Sequence, residues 1–135
     1  MKEFRISKGR LTLLAQIQLI GQDVLIVLSG GNVPHIGTIS HVGQQAPYQV
    51  YAFPSHSGRV HKDDVLAEKF ITNIQGYCPG NLVILSGFHQ DAIDLEEIEQ
   101  VIAMAGELSE QLQAYLEKHP IQSLQAQYQK IELSP

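Results

Sequence analysis

The order of apolar and polar residues predicts a series of strands in the first half of the chain. Over Arg10–Ile20 apolar residues alternate with polar ones, and a period of two is typical of a strand with one covered face. The continuous apolar run Val24–Leu28 indicates a strand that is covered on both faces. Turn residues separate two further predicted strands, His35–Val42 and Tyr48–Phe53.

A helix and a short strand are predicted next. The helix begins at Asp63 or Asp64, residues that cap helix N-termini well, and runs to about Gln75. Leu66, Phe70 and Ile74 stand four residues apart on one face of it. Leu82–Leu85 follows as a buried strand. Because the early strands are joined by short turns, the expected fold class is α+β, a mostly antiparallel sheet of five or more strands with two helices packed on it.

The second predicted helix is long. It begins at Asp94, with Glu97 at the spacing of a capping box, and carries an apolar stripe. At 1.5 Å per residue, about 25 residues span roughly 37 Å, which exceeds the width of a small sheet. We therefore expect part of the stripe to cover a partner subunit. The stripe consists of Leu95, Ile98, Ile102, Ala105, Leu108, Leu112 and Leu116.

The length of 135 residues suits one domain over residues 1–120, followed by a polar, glutamine-rich tail over residues 121–135. The longest apolar run is far shorter than the ~20 residues of a membrane span, and polar residues interrupt the only segment that resembles a signal peptide. Cys78 is the single cysteine, which excludes an intrachain disulfide. We expect a soluble, cytoplasmic protein without a membrane partner.

The charge balance argues against nucleic acid as a partner. Nine Lys and Arg residues against fourteen Asp and Glu residues leave a net charge of -5, whereas nucleic-acid binding depends on neutralising phosphates. The chain also lacks G-x-S-x-G, H-E-x-x-H and paired C-x-x-C, so neither a serine-hydrolase elbow nor a zinc site of known spacing is present.

The first segment with unusual residue choices is Gly30–Gly37. Gly30, Gly31 and Gly37 allow close approach to the main chain, and Pro34 stiffens the turn before His35. Bare amides and an imidazole can hold a phosphate. The alternative is a short strand-to-strand turn with an incidental histidine. The sequence has no G-K-[ST], so it is not a P-loop.

Two further segments carry histidines at predicted element boundaries. His61 and Lys62 stand at a helix N-terminus, where anions are favoured, although the segment is equally typical of a solvated helix start. His89 and Asp91 follow Phe88, and side chains two apart on an extended segment point the same way. Such a pair can ligate a divalent metal or poise the imidazole for proton transfer, or Asp91 can simply help to cap the next helix.

The three histidines suggest a shared pocket. His35, His61 and His89 all lie beside glycine or at element boundaries, where loops carry function. If the three segments meet at one edge of the sheet, they form a polar pocket. A divalent metal bound there would be held by His35, His61, His89 and Asp91.

The same three segments resemble the prenylated flavin chaperone LpdD-like domain family. The resemblance covers about residues 10–118 and is most specific at G-G-x-x-P-H-I-G, over Gly30–Gly37. It is supported by His61–Asp64 and Gly87–Asp91, and by the order and spacing of all three segments.

The resemblance implies a non-catalytic role and a fold similar to that of proteasome assembly chaperones. It implies a homodimer that binds reduced prenylated FMN and delivers it to a UbiD-type decarboxylase, with a divalent metal as a further possibility. The cofactor would be bound by Gly30, Gly31, Pro34, His35, Gly37, His61, Lys62, Phe88 and His89, with additional aromatic surface from Tyr51. The alternatives are an assembly or scaffold module without a small ligand, and a small metal-dependent enzyme.

Overall fold

The computed structural model describes residues 1–54 and 63–131. The strands are β1 Lys2–Lys8, β2 Leu11–Ile20, β3 Asp23–Gly31, β4 Thr38–Val42, β5 Gln49–Ala52 and β6 Leu82–His89. The helices are α1 Asp63–Ile74 and α2 Leu95–Lys118, with a single 3-10 turn at Gln75–Tyr77.

All six strands form one sheet, in the spatial order β1-β2-β3-β6-β4-β5. Every neighbouring pair is antiparallel except β3 and β6, which run parallel. Helix α1 packs over β6 and β4, α2 packs over β1 and β2, and the two helices pack against each other. This is the predicted α+β fold, with a mostly antiparallel sheet and two helices.

The core lies between the helices and one face of the sheet. Alternate residues of the central strands point into it; Ile26 of β3, for example, stands between Ile17 and Ile84 on the neighbouring strands. Helix α1 contributes side chains at a spacing of four residues, as predicted, and all are fully buried. These are Leu66, Phe70 and Ile74.

Helix α2 begins with the predicted capping box, in which Asp94 and Glu97 exchange side-chain and main-chain hydrogen bonds. Its stripe is largely buried within the chain, and Leu108 and Leu112 are completely covered. Only the first turn, where Leu95 is 71% exposed, remains available to a partner. Strand β1, which was not predicted, widens the sheet and accommodates most of the helix. The expectation that part of the stripe covers a partner subunit stays a prediction.

The other face of the sheet has no helix over it in the described ranges. The expectation that Val24–Leu28 is covered on both faces is therefore wrong, because burial alternates along β3 and its second face is half-buried. Strand registers place apolar residues of four adjacent strands on this surface, which we call the open face. Its apolar members are Leu14, Leu25, Val27, Ile39, Val83 and Leu85.

Several strands differ from the prediction in their bounds, β3 among them, which extends from Asp23 to Gly31. Strand β1 was not predicted, and β6 continues to His89 because it pairs with β3 as far as Gly31. Strand β4 begins at Thr38, so His35 lies in the connection that precedes it.

Residues 121–131 have no regular secondary structure, although the main-chain N–H of Leu124 donates to Gln22 Oε1 at 2.9 Å. Among the helices of the described chain, none is long and apolar enough to cross a membrane.

Candidate functional site

The connection from β3 to β4 crosses a strand. Because β6 lies between β3 and β4, the connecting residues pass over the carboxyl end of β6. The carbonyl group of His35 lies directly against Gly87, so that any side chain at Gly87 would overlap it. The N–H of Gly37 donates to the carbonyl of Ser86 at 2.8 Å. Gly30–Gly37 thus includes a crossover over β6, and not the short strand-to-strand turn that was the alternative from the sequence.

The paired glycines belong to the sheet. Gly30 and Gly31 are the last residues of β3 and stand opposite Phe88 and His89 of β6. Gly31 has a φ of 79°, and a side chain there would overlap the His89 carbonyl. The two glycines therefore allow close packing between strands, and their main chain is held in the ladder. This differs from the expected loop of bare amides.

Asp63 joins three elements at this edge of the sheet. It is the first residue of α1 and is only 1% exposed. Its Oδ1 accepts a hydrogen bond of 2.9 Å from the main-chain N–H of Phe88, and Oδ2 lies 3.5 Å from His35 Nε2. A side chain at Gly37 would overlap the carboxylate. Burial of a carboxylate requires such compensating partners.

The His35 ring is held from two sides. Nδ1 lies 3.1 Å from the carbonyl oxygen of Val33, and because a carbonyl only accepts, Nδ1 is assigned as the donor. Nε2 faces Asp63, while 32% of the side chain remains exposed. The ring is therefore oriented by the protein and still reachable from solvent. We call His35, Gly37, Asp63, Gly87 and Phe88 the His35 corner.

A second cluster, the His89 corner, consists of Asn32, His89 and Asp91. His89 Nε2 lies 2.9 Å from Asp91 Oδ1, so the predicted same-side pair is in contact. Asn32 Nδ2 donates to Asp91 Oδ2 at 2.6 Å, and the main-chain N–H of Asp91 donates to Asn32 Oδ1 at 2.9 Å. The hydrogen bonds from Asn32 and then His89 lower the pKa of Asp91 below its ordinary value.

The β6–α2 loop is also held by Arg10, which sequence reasoning missed. Its guanidinium forms two hydrogen bonds with Glu97, at 2.7 and 2.8 Å, and a third with the carbonyl of Ala92 at 3.1 Å. The hydrogen bond from Arg10 is the main reason why the pKa of Glu97 falls to about 2. This contact joins two residues far apart in sequence, and no local pattern indicates it.

The aromatic side chains are placed differently from the expectation. Phe88 is 2% exposed, and its ring lies in the core rather than facing a ligand. Tyr51 is 58% exposed and Phe53 is 40% exposed, and their rings meet edge to face with centroids 5.1 Å apart. The N–H of Phe53 donates to the Gly37 carbonyl at 2.9 Å. Phe53 was not singled out from the sequence, although its spacing of two from Tyr51 was visible.

The segments around His35 and His89, together with the start of α1, meet at one edge of the sheet. His61 and Lys62 lie outside the described residues, so the predicted meeting of three histidine rings stays a prediction. Pro34 is exposed. In residues 1–54 and 63–131, no group of three or more His, Cys, Asp or Glu side chains is arranged to hold a metal ion. His35 and His89 each pair with a different carboxylate, which gives the expected metal site no support.

A family model for the prenylated flavin chaperone LpdD-like domain matches residues 7–117, which include both corners. The chain belongs to this family. Protein LpdD of Lactiplantibacillus plantarum is 34% identical over 128 residues, which cover 95% of this chain and 94% of that protein. The matched region ends before the glutamine-rich tail.

The described residues of this LpdD-like chain place polar and aromatic side chains next to each other. The partly exposed imidazole of His35 can meet a phosphate, and Tyr51 and Phe53 present aromatic surface beside it. The chain therefore carries the domain of a prenylated flavin chaperone with polar and aromatic groups next to each other at one sheet edge.

Proposed function

We propose that the chain is a non-catalytic chaperone that binds reduced prenylated FMN and assists its delivery to a UbiD-type decarboxylase. The observation that carries this proposal is the meeting of the family's segments at one sheet edge, with an exposed part of His35 beside the crossover. The proposal does not include a metal ion, since the described carboxylates and histidines form two separate pairs.

In this proposal the His35 corner binds the phosphate end of the cofactor. His35 would contact the phosphate with the exposed part of its ring, His61 and His89 would offer further imidazole groups, and Lys62 would supply positive charge. Gly30, Gly31, Pro34 and Gly37 act indirectly, by allowing the crossover to lie where it does. The Asp63 carboxylate faces His35 Nε2 and has the same sign of charge as a phosphate, so it opposes an approach of the phosphate from that side. Moderate affinity, about 1 μM or -8 kcal/mol, suits a carrier that must release its ligand to a tighter acceptor.

The direct test is retention of the cofactor. Purified protein is incubated anaerobically with reduced prenylated FMN, and co-elution is measured by size-exclusion chromatography. Wild type and His119→Gln should retain the cofactor, since His119 stacks on Tyr115 away from the corner. His35→Gln should retain several-fold less. If wild type retains no cofactor, the proposed ligand is wrong.

Delivery is tested with an apo-decarboxylase of the UbiD type. Cofactor-loaded chaperone should restore decarboxylation faster than free cofactor at the same concentration. Equal rates with and without the chaperone would reject the delivery role and leave only binding.

We further propose that the protein works in the cytoplasm. Its single cysteine, Cys78, is buried, and burial raises the pKa of the thiol to about 11, so it remains unreactive there.

We also propose that the chain forms a homodimer through the central part of the open face, on β3 and β6. The central residues Leu25, Val27 and Val83 form an apolar surface that stays half-buried in the single chain. Exposed apolar patches of this kind are typical of protein contacts. Val27→Lys should convert a dimer to a monomer in sedimentation equilibrium, whereas Thr72→Lys, on the exposed side of α1, should not. A wild-type monomer, or a Val27→Lys dimer, would exclude this interface.

A further inference from the structure

We propose that Tyr51, Phe53 and Ile39 form a platform for the flat ring system of a flavin. This aromatic platform deepens the proposed function and rests on it, because it assigns the ring end of the same ligand to a described surface. Of the two aromatic residues that the sequence suggested for this role, it keeps the exposed Tyr51 and leaves out the buried Phe88.

The three side chains lie on the same side of the sheet. Tyr51 stands opposite Ile39 in the β4–β5 ladder, and Ile39 in turn stands opposite Leu85 of the open face. Phe53 follows Tyr51 by two residues and its ring contacts the Tyr51 ring, so it lies on the same side. The edge-to-face arrangement, with an interplanar angle of 82°, fixes one ring relative to the other while much of each remains exposed.

The platform adjoins the His35 corner. The N–H of Phe53 donates to the carbonyl of Gly37 at 2.9 Å, and Gly37 is two residues from His35. A ligand with a flat ring at one end and a phosphate at the other can therefore contact both surfaces. Flat heteroaromatic rings bind to exposed aromatic side chains by stacking.

The burial of Phe88 strengthens the assignment. Its main-chain N–H is bonded to Asp63 and its side chain is 2% exposed, so its ring can meet a ligand only if the core opens. Tyr51 and Phe53 need no such rearrangement. A second copy of the chain is the competing occupant of this surface, and the experiment separates it from a flavin.

The test uses oxidised FMN and riboflavin as probes, with flavin fluorescence as the signal. Tyr51→Ala should weaken the binding of both probes by roughly three- to tenfold, because both carry the same ring. His35→Gln should weaken FMN more than riboflavin, which has no phosphate. The matched control is Val50→Ala. Val50 belongs to the same strand and is 40% exposed, but it points to the opposite face, so this variant should change the affinity for neither probe.

A second variant separates ring contact from a structural effect. A phenol quenches the fluorescence of a stacked flavin, whereas a phenyl ring does so weakly. Tyr51→Phe should therefore keep the affinity for FMN and lose much of the quenching at saturation. Unfolding midpoints equal to that of wild type establish that each variant is folded, as expected for an exposed position.

Three outcomes would overturn the platform. The first is a wild-type protein that binds neither probe. The second is unchanged affinity in Tyr51→Ala and Phe53→Ala. The third is that these variants become monomeric while they bind flavin normally, which would make this surface a contact between protomers. Failure of the proposed function is distinct, since it appears as a wild type that does not retain reduced prenylated FMN.

Discussion

The two corners of the molecule contain the same residue pair in different surroundings. In the His35 corner the carboxylate of Asp63 is buried and also accepts the main-chain N–H of Phe88. In the His89 corner the side chain of Asp91 is 68% exposed and its other partner is Asn32. Solvent screens an exposed pair, but it cannot replace a lost partner of a buried group. The two pairs have the same chemistry, yet the His35 corner therefore contributes more to the free energy of unfolding.

The largest effect is expected from Asp63→Ala. The substitution leaves the Phe88 N–H buried without its acceptor and removes the contact with His35, which should lower the free energy of unfolding by about 3 kcal/mol. Urea denaturation measures the change. The neighbouring Asp64→Ala is the control and should cost less than about 1 kcal/mol, because Asp64 is only half-buried. Equal losses for the two variants would contradict a special role for Asp63.

The crossover is tested by two glycine substitutions, one of which should lower the stability of the protein while the other should raise it. Gly87→Ala forces a methyl group against the His35 main chain and should lower stability by about 2 kcal/mol. Gly106→Ala, within α2 where no atom lies near the added methyl group, should raise stability by up to about 1 kcal/mol. Thermal or urea unfolding of the two variants gives the comparison. A stabilised Gly87→Ala would mean that the crossover does not lie against β6.

The contact between Arg10 and Glu97, which holds the loop that follows the His89 corner, is tested by pH. Glu97 has a pKa lowered to about 2, so its contribution is fully present above its ordinary value of 4.5 and is lost as the pH falls towards 2. The stability of wild type should therefore decline over this range more steeply than that of Glu97→Gln. Urea midpoints at several acidic pH values measure both slopes. Parallel slopes would show that the Arg10 contact adds nothing to stability in solution.

The smallest effect is expected from Asp91→Ala. Its partners are at the surface, and removal leaves Asn32 and His89 free to bond with water. Stability should change less than in Asp63→Ala, while hydrogen exchange of the main-chain amides of the β3–β4 connection should become faster. A loss as large as that of Asp63→Ala would remove the distinction between the two corners.

The predictions from sequence succeeded where the signal was local. The capping box at Asp94 and the four-residue spacing on α1 depend on residues within one or two turns, and both were found. The site residues chosen from the histidines and glycines stay a prediction. The sequence could not show which of two adjacent aspartates is buried, since Asp63 and Asp64 offer the same capping chemistry.

Alternating hydrophobicity, turn residues and capping spacing were enough to determine the α+β class and most of the elements, because each acts over a few residues. The insertion of β6 between β3 and β4, the buried carboxylate of Asp63 and the apolar face left open depend on which strands become neighbours. That choice depends on long-range packing of many similar apolar side chains. The glycines at the crossover are an example. Their positions are visible in the sequence, whereas the overlap that a side chain would cause there is visible only once β6 lies between β3 and β4.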